Sequence, residues 1–468
     1  MTDTAARTES STPFTELVDQ LRTTYRSGRT RTLDWRKEQL KGILRLLDEN
    51  DAELTRALAE DLGRPSIEAY ACDLGFTKAE VSYLLKHVGS WMKPKRVMPG
   101  LTSLPGKGRI VPEPLGVALV IAPWNYPIQL LLSPVAGALA AGNCVVAKPS
   151  ELAPACSAVL ARLIPKYLDD EAVVCIEGGV AETAAILDQQ FDHIFFTGST
   201  RVGQVVMAAA AKHLTPVTLE LGGKSPTIVA ADADLDVTAR RIAWGKHINA
   251  GQTCIAPDYV LAEASIRDTL VDKIAAAVRE FNGPDQKATP DFSRIVNTNH
   301  HGRLCSLLDS AGGTVAFGGE TDVDDRYIAT TVVVDPDLDA PIMQEEIFGP
   351  LLPVLSVSSV DEAIEFINDR PKPLALYVFS SSDTTTERVI AETSSGGVCV
   401  NHTILHIGSP SLPFGGVGPS GIGAYHGRTS FDVFTHYKSV LSKPTKPDPK
   451  IMYPPYAGWK EKVMRKAM

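Results

Sequence analysis

Clustered cysteine is missing from this chain of 468 residues. Its seven cysteines (Cys72, Cys144, Cys156, Cys175, Cys254, Cys305 and Cys399) are odd in number, and no two are close enough for a CxxC pair. A zinc ribbon and a dense disulfide scaffold are thereby disfavoured, and a reducing compartment is expected. His300 and His301 are adjacent, with no cysteine or further histidine at ligand spacing, so no metal site is expected. Positive charge is in deficit. Lys and Arg number 46 against 55 Asp and Glu, a formal net charge of -9, which argues against general binding to nucleic acid. No apolar run is long enough to span a bilayer, since the longest, near Leu130 to Ala141, is broken by Ser133 and Pro134. The opening MTDTAARTESSTPF has no signal-peptide core, and Asp3 and Glu9 argue against a transit peptide. After Leu441 the chain is rich in Lys and Pro and ends without a lipidation box. A soluble cytoplasmic protein without a membrane anchor is the expectation.

At 44% hydrophobic and 22% charged residues, the composition is that of a globular protein. The length suits two or three domains around a large core. Residues 1–12 are polar and expected to be loose. From Phe14 to Val88 apolar residues recur at helical spacing, as in Leu40, Ile43, Leu44 and Leu47. From Lys93 to Pro114 the texture turns to Pro, Gly and basic residues, which fits either a linker or an extended hairpin arm. Short apolar runs then alternate with helical stretches. Strands are predicted at 116–123, 143–148, 172–176, 193–197 and 217–221, with helices over 128–141, 154–167, 181–187 and 200–213 between them. Such alternation implies parallel βαβ units in a doubly wound sheet. A second series follows Gly223, with a strand at 226–230, a helix over 235–250, and the loop GQTCIAP (251–257). A strand at 258–263 and a helix at 266–281 come next. Further strands are predicted at 315–317, 331–334, 351–357, 374–380 and 397–401. No internal repeat interrupts the pattern.

Ligands in such sheets bind beyond the C-terminal ends of the strands, and several residues there carry chemistry. Gly416, Gly418 and Gly421 satisfy GxGxxG, but Pro419 lies within the motif and no strand–helix unit frames it. The better cofactor loop is FTGSTRVG (196–203), holding Gly198, Ser199 and Gly203. It follows a strand and opens a helix, where backbone N–H groups meet a pyrophosphate. An ordinary strand–helix turn remains the other reading. Lys148 and Glu151 follow the strand VVA and suit ribose hydroxyls, or simply a solvated turn. A carboxylate there repels a 2′-phosphate and leans toward NAD over NADP. Cys254 sits on a loop, where a thiol is either a small buried hydrophobe or a nucleophile. Backbone N–H groups or a cationic nicotinamide nearby would raise its thiolate fraction. Glu220 lies between Leu219 and Leu221. In apolar surroundings it becomes a base near neutrality; at a sheet edge it is merely solvated. Asn125, in PWNYP, either donates to an oxyanion or forms a turn. Glu346 and Phe348, in EEIFGP, suit a ribose and a flat ring, though acidic residues before a Gly-Pro turn are common.

Seven motifs in order (PWNYP, KPSE, FTGST, LELGGKSP, GQTCIAPDY, EEIFGP and PFGGVGPSG) make the chain resemble the aldehyde dehydrogenase superfamily over about residues 15–460. The tyrosine of PWNYP, GAYHG (423–427) and YPPY (453–456) look like its class 3 branch. The resemblance implies an α/β fold, aldehyde dehydrogenase-like, with two doubly wound Rossmann-type domains and a small oligomerisation arm. It implies an NAD-binding domain of residues 1–97 and 114–221, a catalytic domain of 222–418, an arm of 98–113 and 419–445, and a tail of 446–468. It further implies Cys254 as nucleophile, Glu220 as the base that activates water, and Asn125 with the Cys254 N–H as oxyanion donors. Lys148 and Glu151 would hold the adenine ribose, and Glu346 and Phe348 the nicotinamide end. Gly198, Ser199 and Gly203 would lie near the phosphates.

The implied reaction is oxidation of an aldehyde to a carboxylic acid, with NAD as cofactor and NADP possible, in a homodimer. Tyr126 and Trp244 are candidates to line an apolar substrate pocket. A CoA-acylating semialdehyde dehydrogenase is the alternative, but the resemblance places no base such as Glu220 there. A non-catalytic binding or structural relative is a second alternative, and it would have lost the thiol or the base. A plain thiol hydrolase needs a histidine partner for Cys254, which the sequence does not identify.

Overall fold

The helical pattern at the start of the chain resolves into helices Pro13–Arg26, Leu33–Glu49, Asp51–Leu62 and Gly75–Trp91. A π-helical segment, Ala69–Leu74, precedes the last of these. The computed structural model describes residues 13–100, 103–448 and 450–467; the stretch 1–12 lies outside the described residues. Leu40, Ile43, Leu46 and Leu47 share one face of the second helix and are fully buried, where this helix packs on Gly75–Trp91 and on helices Gln129–Ala141 and Pro154–Tyr167.

That sheet has six strands in the order Gly421–Ile422, Val217–Glu220, His193–Thr197, Val117–Ile121, Cys144–Lys148 and Val173–Cys175. All neighbours are parallel except the first pair. The chain winds outward from Val117–Ile121 to Val173–Cys175, then returns to the other side. The reversal therefore falls between Val117–Ile121 and His193–Thr197, the place where open α/β sheets bind ligands. The loops that leave these two strands carry Asn125 and Gly198. Helix Gln129–Ala141, apolar all round save for Gln129 and Ser133, is buried along its whole length.

A second sheet has seven strands in the order Thr314–Phe317, Thr331–Val334, Leu351–Val357, Tyr259–Glu263, Pro226–Val229, Ala375–Phe379 and Gly397–Val400. Only Thr314–Phe317 runs antiparallel. Its strands are near-continuous apolar runs because helices cover both faces. One hydrophobic core, holding Val120 and Val260 alike, spans both sheets.

Two expectations need correction. The helix predicted over 235–250 ends at His247, and Asn249 and Ala250 take positive φ of 52° and 50°. The apolar pattern continues past a turn that tertiary hydrogen bonds impose. The stretch 419–445 is also divided. Only Thr435–Ser442 joins Lys95–Val97 and Lys107–Pro114 in a three-stranded antiparallel sheet. Gly421–Ile422 instead pairs with Glu220 and Leu219, while Phe431 and Phe434 are buried in the core.

Candidate active site

Cys254 follows a turn of three left-handed residues, Asn249, Ala250 and Gly251, the last with φ of 71°. Non-glycine residues in that region each store about 1–3 kcal/mol of strain and persist only where surroundings over-determine them. Here the surroundings are a buried polar network. The Asn249 amide nitrogen donates to the carbonyls of Asn125 and Gln252, both at 3.0 Å. The Gln252 side chain donates to the carbonyls of Asn249 at 3.0 Å and Arg294 at 2.9 Å, and accepts from the Val296 N–H at 3.0 Å. Asn125 Nδ2 donates to the Gln252 carbonyl at 3.1 Å. The Asn125 carbonyl also accepts from Arg64, whose guanidinium is ion-paired with Asp73 in full burial. Thiol loop and PWNYP loop are thus tied together directly.

Two cavities meet at this point. The first, about 230 Å³, is walled by apolar and aromatic side chains including Phe76, Tyr126, Trp244, Leu374, Phe414 and Tyr425. The second, about 220 Å³, is lined by Trp124, Asn125, Gly198, Ser199, His300, Arg303, Glu346 and Phe348. Cys254, Glu220, Thr197, Leu130 and Leu221 border both, so thiol and carboxylate share the wall between them.

Glu220 ends the strand Val217–Glu220 and is 3% exposed, not a solvated edge residue. Both its carboxylate oxygens are buried without a hydrogen-bond partner among the described residues. Burial pushes its pKa well above the usual carboxylate range. Burial also raises the Cys254 thiol, and the carboxylates of Glu346 and Glu220 add to the rise. The N–H groups of Cys254 and Ile255 favour the thiolate but are outweighed. The backbone N–H groups the sequence analysis looked for are therefore present, and burial opposes them.

The other anticipated residues divide into two groups. Glu346 and Phe348 border the second cavity. Burial, with Asp258 nearby, pushes the Glu346 carboxyl up to about 8, and its Oε1 is buried without a partner among the described residues. Phe348 takes φ of 50° and meets the Trp124 ring edge-on at 5.2 Å. Gly198 donates its N–H to the Glu220 carbonyl at 3.0 Å. Ser199 caps the helix Thr200–Ala211, its hydroxyl accepting the Val202 N–H at 3.4 Å. Tyr126 and Trp244 both line the apolar cavity, and the Tyr126 hydroxyl lies 2.6 Å from that of Thr253. Lys148, Glu151 and Gly203 border neither cavity. The Lys148 ammonium, 2% exposed at the end of its strand, donates to the Pro149 carbonyl at 2.8 Å and to Glu151 at 3.3 Å. Gly203 lies against Leu221. Thr197 and Tyr425 lie within FTGST and GAYHG without standing out there, and His300 is considered in the sequence only as a metal ligand; the Arg64–Asp73 pair, which reaches the site from the helical start of the chain, has no local sign in the sequence.

The aldehyde dehydrogenase family model matches residues 5–440. Aldehyde dehydrogenase family 3 member A2 of Rattus norvegicus is 50% identical over 440 residues, 94% of this chain and 90% of that protein. The dimeric NADP-preferring aldehyde dehydrogenase of Mus musculus is 48% identical over 444 residues, 94% of this chain and 98% of that one. Among solved structures, the substrate-bound state of Staphylococcus aureus AldH is similar at a TM-score of 0.95 and 45% identity, covering 97% of this chain and 99% of that chain. An indole-3-acetaldehyde dehydrogenase complexed with NAD+ has a TM-score of 0.85 at 28% identity, covering 92% and 89%. Two Rossmann-type sheets, a thiol and a carboxylate on one wall, and similarity along nearly the whole length converge: the chain belongs to the aldehyde dehydrogenase family.

Proposed function

We propose that Cys254 is the nucleophile, Glu220 the base that activates water, and Asn125 the side-chain donor to the oxyanion. The activity they serve is NAD(P)-dependent oxidation of aldehydes to carboxylic acids, the reaction of the family. The single observation that carries the assignment is that Cys254 and Glu220 border both cavities. An aldehyde in the apolar cavity and a dinucleotide in the other then reach the same sulfur.

Cys254, attacking as the thiolate after its proton is lost to solvent, adds to the carbonyl carbon and forms a thiohemiacetal oxyanion. Asn125 has a second amide hydrogen beyond the one held by Gln252. That hydrogen and the Cys254 N–H stabilise the charge, each such donor contributing about 3 kcal/mol. A dinucleotide held beside Cys254 would supply the acceptor for the hydride on this carbon, and loss of that hydride would leave a thioester on the sulfur. Glu220 then takes a proton from water, the hydroxide adds to the thioester, and the carboxylic acid departs as the thiolate is restored. A buried base on the sulfur's own wall favours water over CoA as acyl acceptor, so added CoA leaves the rate unchanged.

The residues present fit such a cofactor. Glu346 Oε1 is a buried acceptor without a partner, suited to a ribose hydroxyl, and Phe348 supplies a flat wall beside it. A side chain at Gly222 would come within 2.0 Å of the Glu346 carboxylate, so that wall stays open. Ser199, Gly198 and Gly203 lie at or in the first turn of Thr200–Ala211 and suit the phosphates. Lys148 and Glu151 hold the adenine ribose.

Tyr126 and Trp244 select medium-chain aliphatic or aromatic aldehydes, in keeping with the apolar cavity they line. The three-stranded sheet meets a second copy, giving a homodimer. Among the described residues no helix is long and apolar enough to cross a membrane. The seven cysteines are all free, which suits a reducing cytoplasm. The test of the assignment is Cys254→Ala followed by stopped-flow formation of NADH. Turnover disappears while NAD still binds; a variant that keeps the wild-type rate overturns the assignment.

A further inference from the structure

Glu68 belongs to none of the motifs above. It closes the single helical turn Ser66–Glu68, just before the π-helical segment. Its Oε2 accepts the Asn249 backbone N–H at 3.0 Å and the Ser293 hydroxyl at 3.4 Å. Asn249 is fully buried and opens the left-handed turn before Cys254. Its amide nitrogen donates in turn to the carbonyls of Asn125 and Gln252. One path of hydrogen bonds thus joins Glu68 to both loops the reaction uses. A buried N–H that loses its acceptor is costly, and backbone relaxes to avoid it. Here the relaxation available is an unwinding of the strained turn, which moves Asn125 relative to the sulfur.

We propose that Glu68 is a positioning residue for formation of the thiohemiacetal: by holding the Asn249 N–H it fixes the turn that sets Asn125 against Cys254. This inference rests on the roles proposed above for those two residues. The contact, not the charge, does the positioning. Burial pushes the Glu68 carboxyl up to about 7, with Arg64 opposing and Asp291 adding to the rise. Neither charge state is required, because a carboxyl or amide oxygen accepts the same N–H.

The experiment compares Glu68→Ala, Glu68→Gln and Cys254→Ala in the full chain, with hexanal and NAD. The pre-steady-state burst of NADH reads acylation, and NAD fluorescence titration reads binding. Glu68→Ala slows the burst by roughly 10- to 100-fold, the scale of a misplaced catalytic group. The KM for hexanal and the Kd for NAD stay near wild type, and Glu68→Gln restores the burst. A burst at the wild-type rate in Glu68→Ala, or one as slow in Glu68→Gln as in Glu68→Ala, overturns the proposal. Should Glu68→Ala fail to fold, Glu68→Asp decides. Its carboxylate is one methylene too short, so it is expected to be slow, and a wild-type burst there overturns the proposal. Cys254→Ala separates the two levels. If it is silent while Glu68→Ala is unimpaired, only Glu68 loses its role; if it turns over, the assignment of Cys254 falls and the Glu68 proposal with it.

Discussion

Burial raises the pKa of both Cys254 and Glu220, so their pH behaviour is the sharpest residue-level consequence. Glu220 must be ionised to take a proton from water, and its pKa lies well above the usual range. Deacylation therefore accelerates as pH rises through that raised value, and Glu220→Gln is slow and flat across the same range. Single-turnover acyl release measured against pH checks this. Glu346 gives a stability effect of defined sign. Folding raises its pKa from 4.5 to about 8, so the unfolded chain releases the proton first. Its contribution is neutral below about pH 4.5 and grows destabilising as pH rises to about 8, then levels off. Urea unfolding across that window should show a shallower decline for Glu346→Gln than for wild type. A parallel decline would contradict the burial of this carboxyl. Cys254 and Asn125 were legible as candidates because their loops follow predicted strands. The choice between nucleophile and buried hydrophobe was not, since it depends on which cavity the sulfur meets.

Secondary-structure elements were the most readable part of the chain. The helix over 154–167 and the strands of both sheets, Gly421–Ile422 excepted, follow directly from apolar period and run length. The helix predicted to reach 250 overran because the turn at Asn249 is held by Glu68 and Asn125, both far away in sequence, as well as by nearby Gln252. Two substitutions test how elements support the site. A Cβ at Gly203 would lie 2.6 Å from Leu221 Cδ2, so the buried Leu221 side chain, which borders both cavities, has to shift. Gly203→Ala is expected to cost about 1–3 kcal/mol and to raise the KM for NAD, read by urea unfolding and steady-state kinetics. Asp73→Ala leaves the Arg64 charge buried and unpaired. Its expected cost is roughly 3–5 kcal/mol, and chemical denaturation measures it.

At the scale of the whole molecule, the doubly wound halves were foreseeable from alternating strands and helices, whereas the division of 419–445 was not. Phe431 and Phe434 are drawn into the core by their apolar area, and the strand Thr435–Ser442 is drawn into the small sheet by eight register pairs with Lys107–Pro114. That sheet leaves Val97 and Leu441 exposed, at 37% and 52%. Charged substitutions, Val97→Asp with Leu441→Asp, should shift sedimentation from dimer to monomer if the sheet meets a second copy. Unchanged sedimentation would remove it from the interface. An aldehyde panel run with NAD and NADP in parallel should favour hexanal and benzaldehyde over succinate semialdehyde, as the apolar lining requires. Both compartments must converge on one sulfur, and intact-mass spectrometry of Glu220→Gln mixed with hexanal and NAD tests this most directly. The account predicts a trapped acyl adduct that peptide mapping places on Cys254. Normal turnover without an adduct, or an adduct on any of the other six cysteines, would contradict it.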